Sequence, residues 1–87
     1  MPRVFIPPLM RSLTDGAEQV EIPGTSVRQI VANLEARYPG IRERLCEGDT
    51  LKPGLAVAVD GNVTSLGLLQ KVQEGSEVHF LPAIGGG

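Results

Sequence analysis

Thr25-Ser26-Val27-Arg28-Gln29-Ile30-Val31-Ala32-Asn33-Leu34 decides the fold, because it is the clear helix in a chain whose other apolar runs read as strands. Val27, Ile30, Val31 and Leu34 recur at the spacing of one helical face, while Arg28, Asn33, Glu35 and Arg37 fall elsewhere on the surface. Ser26 stands three positions before Gln29, the pattern of a capping box, in which each side chain satisfies a backbone N–H of the first turn. Tyr38-Pro39-Gly40 ends the helix: the residue before a proline is pushed out of the α region, and glycine accepts the turn that follows. Ile41 to Leu45 reads as a short second helical turn.

Strands lie on either side. Upstream, Arg3-Val4-Phe5-Ile6 is a β-rich run stopped by Pro7-Pro8, since proline cannot donate to a sheet ladder. Thr14-Asp15-Gly16 carries a turn signal, and Gln19-Val20-Glu21-Ile22 then alternates polar with apolar until Pro23-Gly24. The two runs predict a hairpin, in which a loop longer than the turn signal implies stays open. Downstream, Leu55-Ala56-Val57-Ala58-Val59 places large apolar groups on one face and alanines on the other, and Asp60-Gly61 turns it. Ser65 to Lys71 is ambiguous, and Glu74-Gly75 leads into a last strand, Glu77-Val78-His79-Phe80-Leu81, ended by Pro82.

The order strand, strand, helix, strand, strand predicts an α+β fold in two layers, because one helix covers only one face of a sheet. Val4, Ile6, Val20, Ile22, Val57, Val59, Val78 and Phe80 are expected to face the helix. The opposite face then carries Phe5, Ala56, Ala58, His79 and Leu81, which is apolar for an open surface and is expected to be a docking patch for another protein. A slip of one residue in register would exchange the two faces.

Eighty-seven residues make one domain, and 41% hydrophobic against 21% charged residues is the balance of a folded chain. The net charge of -2 is spread along the sequence, which excludes the clustered basic face that nucleic acid requires, and two Phe with one Tyr make a poor base-stacking platform. Cys46 is the single cysteine, so no internal disulfide forms, and with no signal-peptide pattern or bilayer-length apolar run the expected location is the cytoplasm, with no membrane partner.

Catalytic constellations are hard to assemble from these residues. His79 and Cys46 each stand alone, against a zinc site or a Cys-His pair, and no motif supports a Ser-His-Asp triad. Mixed charges at Arg42, Glu43, Arg44 and Glu47 give Cys46 no consistent field to stabilise a thiolate. No catalytic residue, metal or bound cofactor is therefore expected. What remains is Gly85-Gly86-Gly87, directly after the last strand. A frayed end is one reading of it. The other is functional: glycine threads a chain end through a narrow channel, and from Pro82 onward the segment spans at most about 20 Å when extended, enough to enter a partner's active site. The reactive group would be the α-carboxylate of Gly87.

At this point the sequence resembles a known family, the ubiquitin-like sulfur carriers of the ThiS and MoaD type. The resemblance rests on Leu34-Glu35-Ala36-Arg37-Tyr38-Pro39-Gly40-Ile41, on Val57-Ala58-Val59-Asp60-Gly61, on Glu74-Gly75-Ser76-Glu77-Val78, and above all on Leu81-Pro82-Ala83-Ile84-Gly85-Gly86-Gly87. Many members end in Pro-Ala-Val-Ala-Gly-Gly, so Gly85 stands where alanine is usual and Gly86-Gly87 is the matching pair. The resemblance implies a β-grasp fold over residues 1–82 with a tail at 83–87. It also implies a protein that is not itself an enzyme: an E1-like partner uses ATP to adenylate Gly87, Gly85 and Gly86 thread the tail, and a sulfur donor displaces AMP to leave a thiocarboxylate. Activation is needed because a terminal carboxylate, with an ordinary pKa of about 3.3 to 3.7, is an anion at neutral pH and a poor acyl acceptor.

Within the family the sulfur goes to molybdopterin, where the chain would be the small subunit of a synthase, to cysteine, to the thiazole of thiamine, or to tRNA. The helix-end stretch and the Pro-Ala-Ile ending look more like the MoaD and cysteine-route carriers, so the implied acceptors are a molybdopterin synthase large subunit or a cysteine-synthase-like enzyme. Two readings stand beside this one: a protein modifier that forms isopeptide bonds through Gly87, and a plain interaction domain whose glycines are inert.

Overall fold

Pro7 and Pro8 stop the first strand, as their missing N–H groups require. In the computed structural model, which describes residues 1–82, β1 covers Arg3–Phe5, and the prolines lead into a 3-10 helix over Pro8–Thr14. Asp15 and Gly16, at φ 55° and 84°, turn the chain back into β2, Gln19–Glu21. β1 and β2 pair antiparallel with Val4 opposite Val20. The expected hairpin is present, and its connection contains a helical segment that no local periodicity announced.

Helix α1 runs over Val27–Arg37 with Ser26 as its extended N-cap. The Gln29 backbone N–H donates to Ser26 Oγ at 3.2 Å, while the Gln29 side-chain oxygen accepts from the Thr25 N–H at 2.7 Å. The box is thus closed one residue earlier than the usual pattern, and both donors are still satisfied. Gly40, at φ 100°, redirects the chain into α2, Ile41–Leu45. Glu35 reaches from α1 to this junction. Its carboxylate accepts from the Arg42 N–H at 2.9 Å and the Gly40 N–H at 3.0 Å, and these bonds hold its pKa below the usual carboxylate value.

The second half adds short strands that the sequence pattern did not reveal. β3 (Cys46–Glu47) and β4 (Thr50–Leu51) form a separate two-stranded ribbon. β5 (Leu55–Val59) turns through Asp60 and Gly61, at φ 52° and 86°, into β6 (Asn62–Val63). Positive φ at both positions is the type I′ geometry that matches strand twist. A 3-10 helix at Gly67–Leu69 precedes β7, Glu77–Pro82, which runs one residue beyond the expected strand.

The main sheet has the order β2-β1-β7-β5-β6, with β1 and β7 parallel at its centre. One helical layer covers it. Val4, Ile6, Val20, Ile22, Val57, Val59, Val78 and Phe80 are all buried, as the alternation predicted, together with Val27, Ile30, Val31 and Leu34 of α1 and Ile41 and Leu45 of α2. Burial of each such side chain contributes about 1.5–3 kcal/mol against the chain entropy of ordering. The expected tail residues Gly85, Gly86 and Gly87 lie outside the described residues.

Candidate functional site

β7 is the strand from which the glycine-ended segment departs, and the sheet holds it from both sides. It pairs with β1 from Arg3↔Glu77 to Phe5↔His79, and with β5 from Val59↔Val78 to Leu55↔Pro82. Its start is clamped by the turn after β5. Asp60 Oδ1 accepts from the Glu77 N–H and Oδ2 accepts from Ser76 Oγ, each at 2.9 Å, so the carboxylate is held below its ordinary pKa, first by the backbone bond and then by the hydroxyl. The Asp-Gly turn therefore does two things: it closes the β5–β6 hairpin and fixes where β7 begins.

The open face of the sheet follows from the registers. Gln19, Phe5, His79, Ala58 and Val63 lie opposite one another across the five strands in sheet order. Leu81 and Ala56 form the neighbouring pair toward the root of the tail. Phe5 and His79 stack with ring centroids 4.0 Å apart and planes 9° apart. Arg3 and Glu77 bound the row on its far side, with a 3.8 Å ion pair. Four of the five expected patch residues, Phe5, Ala56, His79 and Leu81, are partly exposed here.

Ala58 is the correction. It is 5% exposed, because its methyl group lies low between the larger His79 and Val63 on the adjacent strands, and it forms the floor of the face instead of a contact point. Val63, 65% exposed, takes that place at the edge and was missed because a two-residue strand has no alternation to read.

Side chains primed for chemistry are lacking among the described residues. No group of three or more His, Cys, Asp or Glu is placed to hold a metal ion. Every buried side-chain N or O atom among the described residues has a hydrogen-bond partner. Cys46 packs into the core, and burial pushes its thiol pKa up against the weaker opposing pull of Arg42 and Arg28. Asp60 and Glu35 spend their lone pairs on backbone N–H groups. No helix among these residues is long and apolar enough to cross a membrane. The arrangement is that of a five-stranded sheet platform backed by one helical layer.

Known proteins share this platform. The profile of the ThiS family matches residues 5–87. The sulfur carrier protein CysO of Mycobacterium tuberculosis is 34% identical over 91 aligned positions, covering 97% of this chain and 96% of its own. Among solved structures, a chain of the Amycolatopsis orientalis BexX/CysO complex superposes with a TM-score of 0.91 at 32% identity, covering all of both chains. Small archaeal modifier protein 1 of Methanosarcina acetivorans, at 21% identity with a TM-score of 0.78 over 99% and 95% of the two chains, shares the fold. With the β-grasp sheet, the family profile and the CysO relatives in agreement, the chain belongs to the ThiS family, the ubiquitin-like sulfur carriers that its sequence resembles.

Proposed function

We propose that this protein carries sulfur as a thiocarboxylate on Gly87. The carboxylate oxygen of Gly87 attacks the α-phosphorus of ATP on an E1-like partner and expels pyrophosphate. A sulfide equivalent then attacks the acyl carbon of the adenylate, the bond to the AMP oxygen breaks, and one oxygen of the original carboxylate has been replaced by sulfur. The thiocarboxylate is the softer nucleophile and passes the sulfur to the acceptor enzyme's substrate. The domain supplies no catalytic side chain to these steps. Its part is to aim: docking of the open face converts a bimolecular encounter of a chain end with a channel into a positioned one.

The observation that carries this reading is that the family match runs through Gly87 itself, with Gly86 beside it and Gly85 in place of the usual alanine. Phe5, Ala56, His79 and Leu81, with Val63 at the edge, are the docking residues. Likeness to proteins called CysO favours a cysteine-synthase-like acceptor over the large subunit of molybdopterin synthase. Co-expression with the activating enzyme and a sulfur source tests the proposal by intact mass. A species heavier by the exchange of one oxygen for sulfur is expected, absent when Gly87 is deleted. Lysine conjugates in place of that species would assign the chain to protein modification instead.

A further inference from the structure

β2 is an outer strand of the main sheet, with β1 on one side and no strand on the other among the described residues. Its ladder with β1 uses alternate residues. The Ile6 N–H donates to the Glu18 carbonyl at 2.9 Å and the Ile22 N–H to the Pro2 carbonyl at 3.0 Å, so in this register Glu18, Val20 and Ile22 bond inward. Gln19 and Glu21 therefore turn their N–H and C=O groups outward. Glu21 shows it directly: its carbonyl accepts from Arg37 Nη1 at 3.4 Å across the edge. The outward row stops at both ends, because Ala17 has its N–H and C=O bonded to Thr14, while Pro23 has no N–H and its carbonyl accepts from Asn33. Between those limits the strand carries no proline or bulge to discourage pairing. Along the edge, between β2 and the end of α1, lies a groove of about 640 Å³ with Gln19, Glu21, Arg37 and Tyr38 among its walls. Arg37 lies over the Tyr38 ring at 5.3 Å and, like Glu18, is exposed and in no ion pair among the described residues.

We infer that this edge joins two copies of the chain: β2 of each lies antiparallel to β2 of the other about a two-fold axis at Val20, so that the two main sheets run on as one. The register follows from which groups are free. With Val20 opposite Val20 of the second copy, Gln19 of each faces Glu21 of the other, and these pairs exchange backbone hydrogen bonds in both directions. A slip of one residue would set outward groups against inward ones, and a slip of two would set them against Ala17 or Pro23. The side chains agree with this pairing. On the open face the Gln19 amide meets the Glu21 carboxylate of the second copy, a donor opposite an acceptor. On the helical face Glu18 stands opposite Ile22 of the second copy, beside the Arg37 that has reached round to Glu21, so each copy's unpaired anion meets the other's unpaired cation. This complementarity of the strand to itself is what favours a second copy over an unrelated strand. The two-fold repeats each contact and closes the assembly, so a pair forms and not a filament. Edge pairing covers neither face of the sheet and leaves Phe5 and His79 open.

Sedimentation velocity of the full chain over a range of concentrations tests the pairing. So short an edge makes a small interface, and the dimer is expected at about 0.1–1 mM with monomer below about 10 μM. Glu18→Arg and Arg37→Glu change exposed side chains, and each is expected to weaken association about tenfold or more by setting like charges together. The double variant should return to within about threefold of wild type, since it restores opposite charges across the axis. Amide hydrogen exchange gives a second reading: the Gln19 and Glu21 N–H groups should slow as concentration rises, while Val63, on the opposite outer strand, should not. A chain that stays monomeric at about 1 mM overturns the inference. So does a dimer in which the double variant is no tighter than the single ones, or in which the Gln19 and Glu21 N–H groups exchange at their monomer rates. No step of the test involves activation of Gly87, so its outcome is independent of the sulfur-carrier proposal.

Discussion

Leu34→Ala separates the platform from the chemistry. Leu34 is fully buried at the centre of the helical face that covers the sheet. Truncation removes three carbons, worth about 2.4 kcal/mol of transfer free energy at about 0.8 kcal/mol per methylene, and leaves a cavity that the close-packed surroundings fill only in part. Leucine-to-alanine changes at such sites cost about 2.7–5 kcal/mol in total. A domain of this size has about 5–13 kcal/mol to lose, so the variant is expected to fold but with a much reduced margin. At about 4–8 °C per kcal/mol, Tm should fall by at least about 11 °C. Thermal unfolding followed by circular dichroism reads the loss, and thiocarboxylate formation at a temperature well below the lowered Tm should stay near wild type. A Tm drop under about 5 °C would refute the seating of α1 on the sheet, since a loss that small fits a half-exposed leucine.

Asp60→Asn keeps the left-handed turn, which asparagine tolerates, but removes the charge that the Glu77 N–H and Ser76 hydroxyl stabilise. The folded-state pKa of Asp60 is lowered, so its contribution is complete above the unfolded value of about 3.9 and is lost as pH falls through the folded value. The Tm gap between wild type and Asp60→Asn should therefore be full at about pH 6 and shrink as pH falls below the unfolded value of about 3.9, and a gap independent of pH would contradict the assignment. Phe5→Ala breaks the stack with His79 and should weaken binding to the activating enzyme about tenfold by calorimetric titration; unchanged affinity would remove the open face from docking. Cys46, buried and with its thiol pKa raised, should react with a disulfide reagent only as fast as the domain opens, whereas reaction of the native protein at the rate of a free thiol would contradict its place in the core.

Much of the fold was legible because its signals are local. The Ser26 cap, the stop at Tyr38-Pro39-Gly40 and the left-handed Asp60-Gly61 turn each follow from the conformational limits of a few adjacent residues. Alternation likewise sorted Val57 and Val59 inward and Ala56 outward, and the buried set agrees. The 3-10 segment at Pro8–Thr14 and the two-residue strands β3, β4 and β6 are too short or too irregular to carry a period. The parallel pairing of β1 with β7 is set by the whole sheet and has no local signature. For the site, alternation placed Phe5 and His79 on one face, but the depth of Ala58 depends on the size of neighbours from other strands. Gln19 and Arg37 come from separate segments, and only the fold brings them to one groove.

The parallel union of β1 and β7 has a consequence for how the molecule is made. The first and last strands described are neighbours at the middle of the sheet, so the central seam closes only after nearly the whole chain is available, at the entropic cost of a long loop. Folding should accordingly be slow for a domain of this size and strongly all-or-none, with no half-built sheet to rest in. A polypeptide whose seam is open has its docking row divided between Phe5 on one strand and His79 on the other. On the docking proposed for the open face, an enzyme that grips that row before it takes the chain end would admit the finished carrier and pass over the unfinished one.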